Sequence, residues 1–176
     1  IRDRQLANEL LKDKAGSISV MDIYTGSIIA MHSSPSFDPN LLVGKKKISA
    51  NYPKLIKNPD QPLYPRPLAA EYPPGSIFKL VQSLIALQEG VVTASTGFPC
   101  TKSLVGCHNH PHAQSISEAI KYSCNPYYYY LVKKIIQQGK KKNNKEDAAL
   151  GLKKWTKYMH SFGLGVRLDS DIYGIR

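Results

Sequence analysis

The segment YPPGSIFKL, residues 72–80, constrains the fold more than any other part of the sequence. Its two consecutive prolines favour extended or turn backbone, and the glycine that follows permits a sharp reversal of the chain. Beyond that glycine, apolar residues recur with helical spacing as far as Gly90. The pattern predicts a mostly apolar, buried helix that has Ser76 in its first turn and Lys79 on the same face.

The size and composition of the chain fit one globular domain, because 42% of its 176 residues are hydrophobic. No apolar run approaches the roughly 18 residues that a membrane span needs. The first residues, IRDRQLANELLKDKAG, predict a charged amphipathic helix and not a signal peptide. We therefore expect any export signal or membrane anchor to lie outside this chain.

The net charge of +11 raises the question of a nucleic-acid partner. Many of the lysines fall in two runs, at residues 45–47 and 140–145, and both runs lie beside turn-forming residues. Such runs are typical of solvated loops, so we expect no nucleic-acid surface.

The order of the remaining segments predicts an α/β chain of the α+β type. Two β-rich runs, SISVMDI and SIIAM, predict an antiparallel hairpin at residues 17–31. The proline-rich residues 35–74 predict a long irregular excursion over the surface. Helices are predicted for SISEAIKYS, which a serine can cap, for residues 126–138, and for a last segment that ends at Gly163.

The pair Ser76 and Lys79 has the spacing of a nucleophile and its base on one helical face. A serine hydroxyl is a poor nucleophile unless a neighbouring group takes its proton. A lysine can do so when burial and neighbouring charge lower its pKa. The Ser-x-x-Lys pattern alone recurs by chance, but the preceding YPPG and the apolar helix behind it favour a catalytic pair.

A second motif, SCNPYYYYL, places Ser123, Cys124 and Asn125 on the predicted turn between two helices. One interpretation is an N-cap pair that opens the following helix. In the functional interpretation, Ser123 relays a proton and the amide of Asn125 holds a substrate amide. A serine–lysine pair followed by a Ser-x-Asn loop is the active-site arrangement of the penicillin-recognising serine acyltransferases.

On these motifs the sequence resembles the transpeptidase domains of class B penicillin-binding proteins, and within them the elongation-type penicillin-binding protein 2 group. GSISVMDIYTGSIIAMHSSPSFDPN is similar to the first strand pair of that family and to the loop after it. PLYPRPLAAEYPPGSIFKL is similar to its approach to the nucleophile, and FGLGVRLDSDIYG to the segment after its second motif. The chain departs from the family at Ile77, where a small hydroxyl residue is usual.

The resemblance implies a role for each motif residue. Ser76 would be the acylated nucleophile, with its backbone amide supplying half of the oxyanion hole, and Lys79 would be its general base. Ser123 would assist proton transfer toward the leaving group. Asn125 would bind the donor peptide and contact Lys79.

The resemblance also implies an activity, a fold and a location. The activity would be that of a serine-type peptidoglycan D,D-transpeptidase, which cross-links stem peptides during cell elongation and is the target of β-lactams. The fold would be the penicillin-binding, β-lactamase-like one, an antiparallel sheet flanked by helices. The domain would face the periplasm from the bacterial inner membrane, with a membrane glycosyltransferase of the elongation machinery as partner.

The third motif of the family, Lys-Thr-Gly or Lys-Ser-Gly, occurs nowhere in the sequence. Residues 1–176 are therefore expected to be a partial transpeptidase domain without the later strands that carry this motif. We expect this chain alone to be acylated by β-lactams poorly or not at all.

The three cysteines, Cys100, Cys107 and Cys124, are open to three interpretations from the residues alone. They are a disulfide with one thiol left over, buried free thiols, or a Cys3His zinc site completed by a nearby histidine. Elongation-type relatives bind zinc beside the active site, with a cysteine inside the second motif as one ligand. The resemblance therefore implies a structural zinc on these cysteines, and we predict His110 as the fourth ligand.

Two other classes of function remain as alternatives to a transpeptidase. One is a class D-type β-lactamase or β-lactam sensor domain, which shares the Ser-x-x-Lys start but lacks the long loop of cysteines and histidines. The other is a noncatalytic basic binding module, whose binding to nucleic acid would survive Ser76→Ala and collapse with salt.

Overall fold

The computed structural model describes residues 2–168 and 170–172. These residues form two compact units, one of residues up to Tyr72 together with the described residues from Leu168 onward, and one of residues 73–167. The helices and strands are α1 (Arg2–Leu10), β1 (Gly16–Met21), β2 (Ile28–Ser34), α2 (Lys45–Ile56), α3 (Arg66–Ala69), α4 (Phe78–Gln88), α5 (Ile116–Lys121), α6 (Asn125–Ile136) and α7 (Asn144–Ser161). Short 3-10 turns lie at Pro39–Leu42 and Gly75–Ile77.

The first unit is built on the antiparallel pair β1–β2, which confirms the predicted hairpin. Its connection is fixed by Asp22, whose carboxylate accepts hydrogen bonds from the backbone N–H groups of Tyr24 and Thr25 at 2.9 and 2.8 Å. A short polar side chain that bonds the backbone two or three residues ahead favours such a turn.

The predicted irregular excursion over residues 35–74 is wrong in part, because this segment contains α2, α3 and a 3-10 turn. The lysine run at residues 45–47 forms the start of α2 and not a loop, although all three side chains are exposed. Lysine, alanine and leucine are good helix formers, and they outweigh Pro53, which removes a single helical hydrogen bond inside α2.

The second lysine run, residues 140–145, lies mainly in the connection between α6 and α7, as predicted. Asp147, in the first turn of α7, stabilises the backbone of this connection by hydrogen bonding. Its buried carboxylate accepts hydrogen bonds from the backbone N–H groups of Gly139, Lys140 and Lys141 at 2.7–3.2 Å. The basic loop is therefore a solvated segment with an ordered backbone.

The core of the second unit lies where α4, α5, α6 and α7 meet. Ile85, Leu131 and Ile135 are fully buried there. The helices α6 and α7 approach closely at Gly151, where a side chain would meet the backbone of Ile136.

The helix α4 ends before Gly90, as predicted, but Ser76 lies in the 3-10 turn that precedes it and not in its first turn. The expectation that α4 is mostly buried is also wrong for one of its faces. Gln82, Ser83, Ile85 and Ala86 are buried, whereas Leu84 on the other side is 55% exposed. Apolar residues all round a helix predict burial on every side. Within the second unit, the described residues pack against only one side of α4.

The helix ends follow from identifiable caps. Ser115 caps α5 by accepting a hydrogen bond from the N–H of Glu118 at 3.1 Å, and Gly163 ends α7 in a left-handed conformation. The N-cap of α6 is Cys124, whose Sγ accepts from the N–H of Tyr127. Within residues 2–168 and 170–172, no helix combines the length and apolarity needed to cross a membrane.

Candidate active site

The start of α4 presents Ser76 next to Lys79. Gly75 adopts the left-handed region (φ 62°), as the reversal predicted from the sequence requires, and opens a 3-10 turn that leads into α4. Ser76 lies exposed in this turn, and the half-buried Lys79 follows in the first turn of α4. The Lys79 Nζ donates a hydrogen bond to Ser76 Oγ at 3.2 Å.

The second motif turns sharply at Ser123, which adopts a left-handed conformation (φ 50°). The turn closes α5 with the bond pairs of a Schellman motif, from Ser123 N–H to Ile120 O and from Cys124 N–H to Ala119 O, both 3.0 Å. Glycine is the usual residue at this position, because the conformation costs an L-residue roughly 1–2 kcal/mol. Because Cys124 supplies the N-cap of α6, the side chains of Ser123 and Asn125 are not needed for capping and can contact Lys79.

The two motifs meet around Lys79, at a sequence separation of 44 to 46 residues. The Nζ atom donates to Ser123 O at 2.6 Å, to Asn125 Oδ1 at 2.7 Å and to Ser123 Oγ at 2.9 Å. Ser123 Oγ in turn donates to Ser76 Oγ at 2.8 Å. The four residues predicted to carry the chemistry therefore share one connected set of hydrogen bonds.

The pKa of Lys79 is lowered from its ordinary value because the ammonium is partly removed from water. Ionisation of the Cys107 or Cys124 thiol opposes this effect and raises the pKa of Lys79, but burial is the larger influence. A lowered pKa increases the fraction of neutral amine near neutral pH, which is the form that can accept a proton from a serine hydroxyl.

The amide of Asn125 is held in one orientation. Its Nδ2 donates to the carbonyl of Gly106 at 2.9 Å, which leaves Oδ1 facing Lys79. Its backbone N–H points to Cys107 Sγ at 3.4 Å. The loop between α4 and α5 thereby fixes the second motif.

Beside the motif lies a cluster of four potential metal ligands, Cys100, Cys107, His110 and Cys124. Their ligand atoms all lie within 4.8 Å of one another, and the thiols are not joined by disulfides. The Nε2 of His110 is 3.1 Å from Cys107 Sγ, while its Nδ1 faces the carbonyl of Pro111. The structure thus brings together the same four residues that the sequence predicted as one site.

The thiols of this cluster differ in acidity. Burial raises the pKa of Cys107, but hydrogen bonds, led by the one from His110, outweigh it and lower the value to about 7. Burial raises the pKa of Cys124 to about 12. His112 lies outside the cluster, since its Nδ1 accepts a hydrogen bond from the N–H of Cys100 at 2.8 Å.

Two residues next to Lys79 were not predicted from the sequence. The ring of Tyr128 lies with its centroid 5.5 Å from Lys79 Nζ, and its hydroxyl is 2.7 Å from Ser83 Oγ. Ser83 could have been found from its position four residues after Lys79, on the same helical face. Tyr128 follows Asn125 by three residues, but a run of four tyrosines hides which of them faces the site.

The sequence of residues 16–175 matches the family described as the penicillin-binding protein transpeptidase domain. The chain belongs to this family, which confirms the resemblance seen in its motifs. Over 91 residues it is 41% identical to the peptidoglycan D,D-transpeptidase MrdA of Acinetobacter baumannii, a match that covers 52% of this chain and 13% of that protein.

Solved structures give the same result and confirm the predicted fold. The crystal structure of Pseudomonas aeruginosa PBP2 superposes with a TM-score of 0.76 at 29% identity, over 99% of this chain and 38% of that chain. The penicillin G acyl-enzyme complex of penicillin-binding protein A from Mycobacterium tuberculosis superposes with a TM-score of 0.59 at 30% identity, over 74% of this chain and 34% of that one. The chain therefore spans well under half the length of each of these proteins.

Proposed function

We propose that the protein carrying this chain is a peptidoglycan D,D-transpeptidase, which cross-links stem peptides during cell elongation through an acyl-enzyme on Ser76. The observation that carries the proposal is the connected set of hydrogen bonds in which Lys79 and Ser123 both donate to the Ser76 hydroxyl, while Lys79 also donates to Asn125. Membership in the transpeptidase family and the name of the Acinetobacter baumannii relative support this assignment.

In the acylation step, Ser76 Oγ attacks the carbonyl carbon of the D-Ala-D-Ala amide and its proton passes to the neutral amine of Lys79. The negative charge that forms on the carbonyl oxygen is stabilised by the backbone N–H of Ser76. Collapse of the tetrahedral intermediate breaks the amide bond. The leaving D-alanine amine takes the proton back from Lys79 through the hydroxyl of Ser123.

In the second half-reaction, an amine of another stem peptide attacks the ester carbonyl of the acyl-enzyme. The amine loses a proton to Lys79, and the ester oxygen of Ser76 recovers one as the new amide bond forms. Asn125 positions the donor peptide through its amide, which the bond to Gly106 already orients. The same sequence of bond changes makes Ser76 the site that a β-lactam acylates and blocks.

The test is covalent labelling of the intact protein with a fluorescent penicillin. Ser76→Ala abolishes labelling, and Lys79→Arg slows it by about 100-fold or more, because a guanidinium keeps its proton near neutral pH. The labelling rate of the wild type rises with pH as Lys79 loses its proton, with a midpoint below the ordinary lysine pKa. Ser117→Ala, at an exposed position of α5, is the matched control and labels normally. Labelling that persists in Ser76→Ala contradicts the assignment.

We further propose that Cys100, Cys107, His110 and Cys124 hold a structural zinc ion. Three thiolates and one imidazole are a donor set that suits tetrahedral zinc. The contact of His110 Nδ1 with the carbonyl of Pro111 leaves Nε2 directed toward the thiols, as a metal-bound histidine requires. When bound, the ion supplies a fixed cross-link between the loop after α4 and the turn that carries Ser123 and Asn125.

Elemental analysis of protein purified without added metal tests this proposal. We expect about one equivalent of zinc, and loss of zinc together with lower thermal stability in Cys124→Ser. His108→Ala, at an exposed histidine outside the cluster, is the control and retains the metal. Folded protein with less than about a tenth of an equivalent, or a disulfide between two of the thiols found by mass spectrometry, contradicts it.

The proposed activity places the domain on the periplasmic face of the bacterial inner membrane, where the stem peptides are found. A membrane glycosyltransferase that supplies new glycan strands is the partner we propose, because cross-linking requires a continuous supply of donor peptides. Fractionation and co-purification of the intact protein from membranes test both points. Recovery of the protein from the cytosol contradicts the location.

A further inference from the structure

The ring of Tyr128 faces the ammonium of Lys79 inside the second unit. The centroid lies 5.5 Å from Nζ, within the distance at which a cation is attracted to an aromatic face. Tyr128 is only 6% exposed, so its ring is held within the packed interior of this unit. The position is set by α6, which carries Tyr128 one helical turn after Asn125.

The tyrosine ring is anchored by the same turn of α4 that carries Lys79. Its hydroxyl is 2.7 Å from Ser83 Oγ, and Ser83 Oγ donates to the backbone carbonyl of Lys79 at 2.9 Å. The ring therefore keeps its place relative to the lysine backbone whether or not the side chain carries a proton.

Among the described residues, no carboxylate faces Lys79 from the adjoining cavity, and Tyr128 is the one aromatic ring within cation–π distance of its ammonium. This cavity of about 430 Å³ is lined mainly by apolar side chains and contains no carboxylate. The Oε1 of Gln82, the only side-chain oxygen of its wall besides the tyrosine hydroxyl, already accepts from Trp155 Nε1 at 3.0 Å. The face of the Tyr128 ring is thus the feature on this side that favours the charged lysine.

We propose that Tyr128 is a positioning residue for the proposed reaction, holding the Lys79 ammonium against Ser123 and Asn125 between turnovers. The attraction exists only while Lys79 is protonated, because a neutral amine is not drawn to the negative face of the ring. The contact therefore stabilises the position of the protonated Lys79 side chain, and it weakens when Lys79 is the neutral amine that acts as a base. This inference rests on the proposed function of Lys79.

The experiment is a lysine NMR titration of Lys79 in the intact protein, with the signal assigned by its loss in Lys79→Arg. Tyr128→Leu removes the aromatic face, and the midpoint moves to lower pH by about half to one unit, a threefold to tenfold loss of proton affinity. Tyr128→Phe keeps the face and keeps the wild-type midpoint. Cys107 and Cys124, the other titratable groups whose charge acts on Lys79, are not substituted in either variant.

Tyr129→Leu is the matched control, since Tyr129 is the neighbouring residue on α6 and is 44% exposed. If Tyr128→Leu does not fold, Tyr128→Met replaces it as a variant of similar length. A midpoint that stays in place or moves upward in the non-aromatic variant overturns the inference. The titration measures the effect of Tyr128 on Lys79 and does not depend on acylation. A wild-type protein that penicillin fails to label would therefore refute the proposed function but not the contact between Tyr128 and Lys79.

Discussion

Replacing Ser123 by glycine and by alanine separates the backbone role of this residue from its chemical role. Ser123 has φ 50°, a left-handed conformation that costs an L-residue roughly 1–2 kcal/mol and glycine almost nothing. Ser123→Ala keeps this cost, whereas Ser123→Gly removes it. The unfolded chain of the glycine variant has more conformational freedom, and this offsets about 0.5–1 kcal/mol of the stability gained by relieving the strain.

The balance predicts that the glycine variant is more stable than the alanine variant by up to about 1.5 kcal/mol. Both variants lose the hydroxyl that accepts from Lys79 at 2.9 Å and donates to Ser76 at 2.8 Å. Removing a group that relays a proton slows a reaction by about 100-fold to 10,000-fold. We therefore expect both variants to be acylated slowly, and by a similar factor, despite their different stabilities.

Urea unfolding and the rate of labelling by a fluorescent penicillin measure the two effects on the same samples of intact protein. A glycine variant less stable than the alanine variant would refute the argument from backbone strain. A glycine variant that is labelled at the wild-type rate would refute the role of the hydroxyl. Similar labelling rates for the two variants, together with a more stable glycine variant, support both the backbone role and the chemical role of Ser123.

Two further predictions concern the contacts of α7 with α6 and with the end of α4. Gly151→Ala destabilises the fold by about 1–3 kcal/mol in urea unfolding, because the new Cβ would lie 2.6 Å from the carbonyl carbon of Ile136; wild-type stability would contradict this close approach. Hydrogen bonds, the strongest from Lys154, lower the pKa of Glu89 to about 2. Glu89→Gln therefore lowers the free energy of unfolding by about 1–2 kcal/mol at neutral pH, since solvent screens part of the attraction between Glu89 and Lys154. This difference is complete above the unfolded pKa near 4.5 and disappears as the pH falls toward 2. Glu146→Gln, at an exposed position of α7, shows no such loss, and an equal loss there would refute the prediction.

Features set by neighbouring residues could be predicted from the sequence. The hairpin, the entry to α4 after Gly75 and the end of α7 at Gly163 depend on turn-forming residues and on side-chain periodicity, which are local. The prediction for residues 35–74 is wrong in part because prolines favour irregular backbone, whereas Pro53 removes only one hydrogen bond from α2.

Features set by tertiary contacts could not be predicted in the same way. The left-handed conformation of Ser123 follows from how α5 ends, and a serine carries no signal for it. Lys79 and Asn125 are 46 residues apart, and the resemblance to a known family, not periodicity, placed them in one site. The spacing of the cysteines is irregular, so their convergence depends on the path of the loop between α4 and α5.

The hydrogen bonds of Lys79 indicate the path by which its proton moves. Four oxygen atoms lie within hydrogen-bond distance of Nζ, but an ammonium has three protons and a neutral amine has two. The two shortest contacts are to Ser123 O and Asn125 Oδ1, which can only accept, so the neutral amine keeps its two protons there. Its lone pair then faces the hydroxyls of Ser123 and Ser76, which can rotate to donate. In the proposed reaction, deprotonation of Lys79 therefore reverses the direction of the hydrogen bonds that lead to Ser76, and we propose that Asn125 holds the amine in the orientation that this reversal requires.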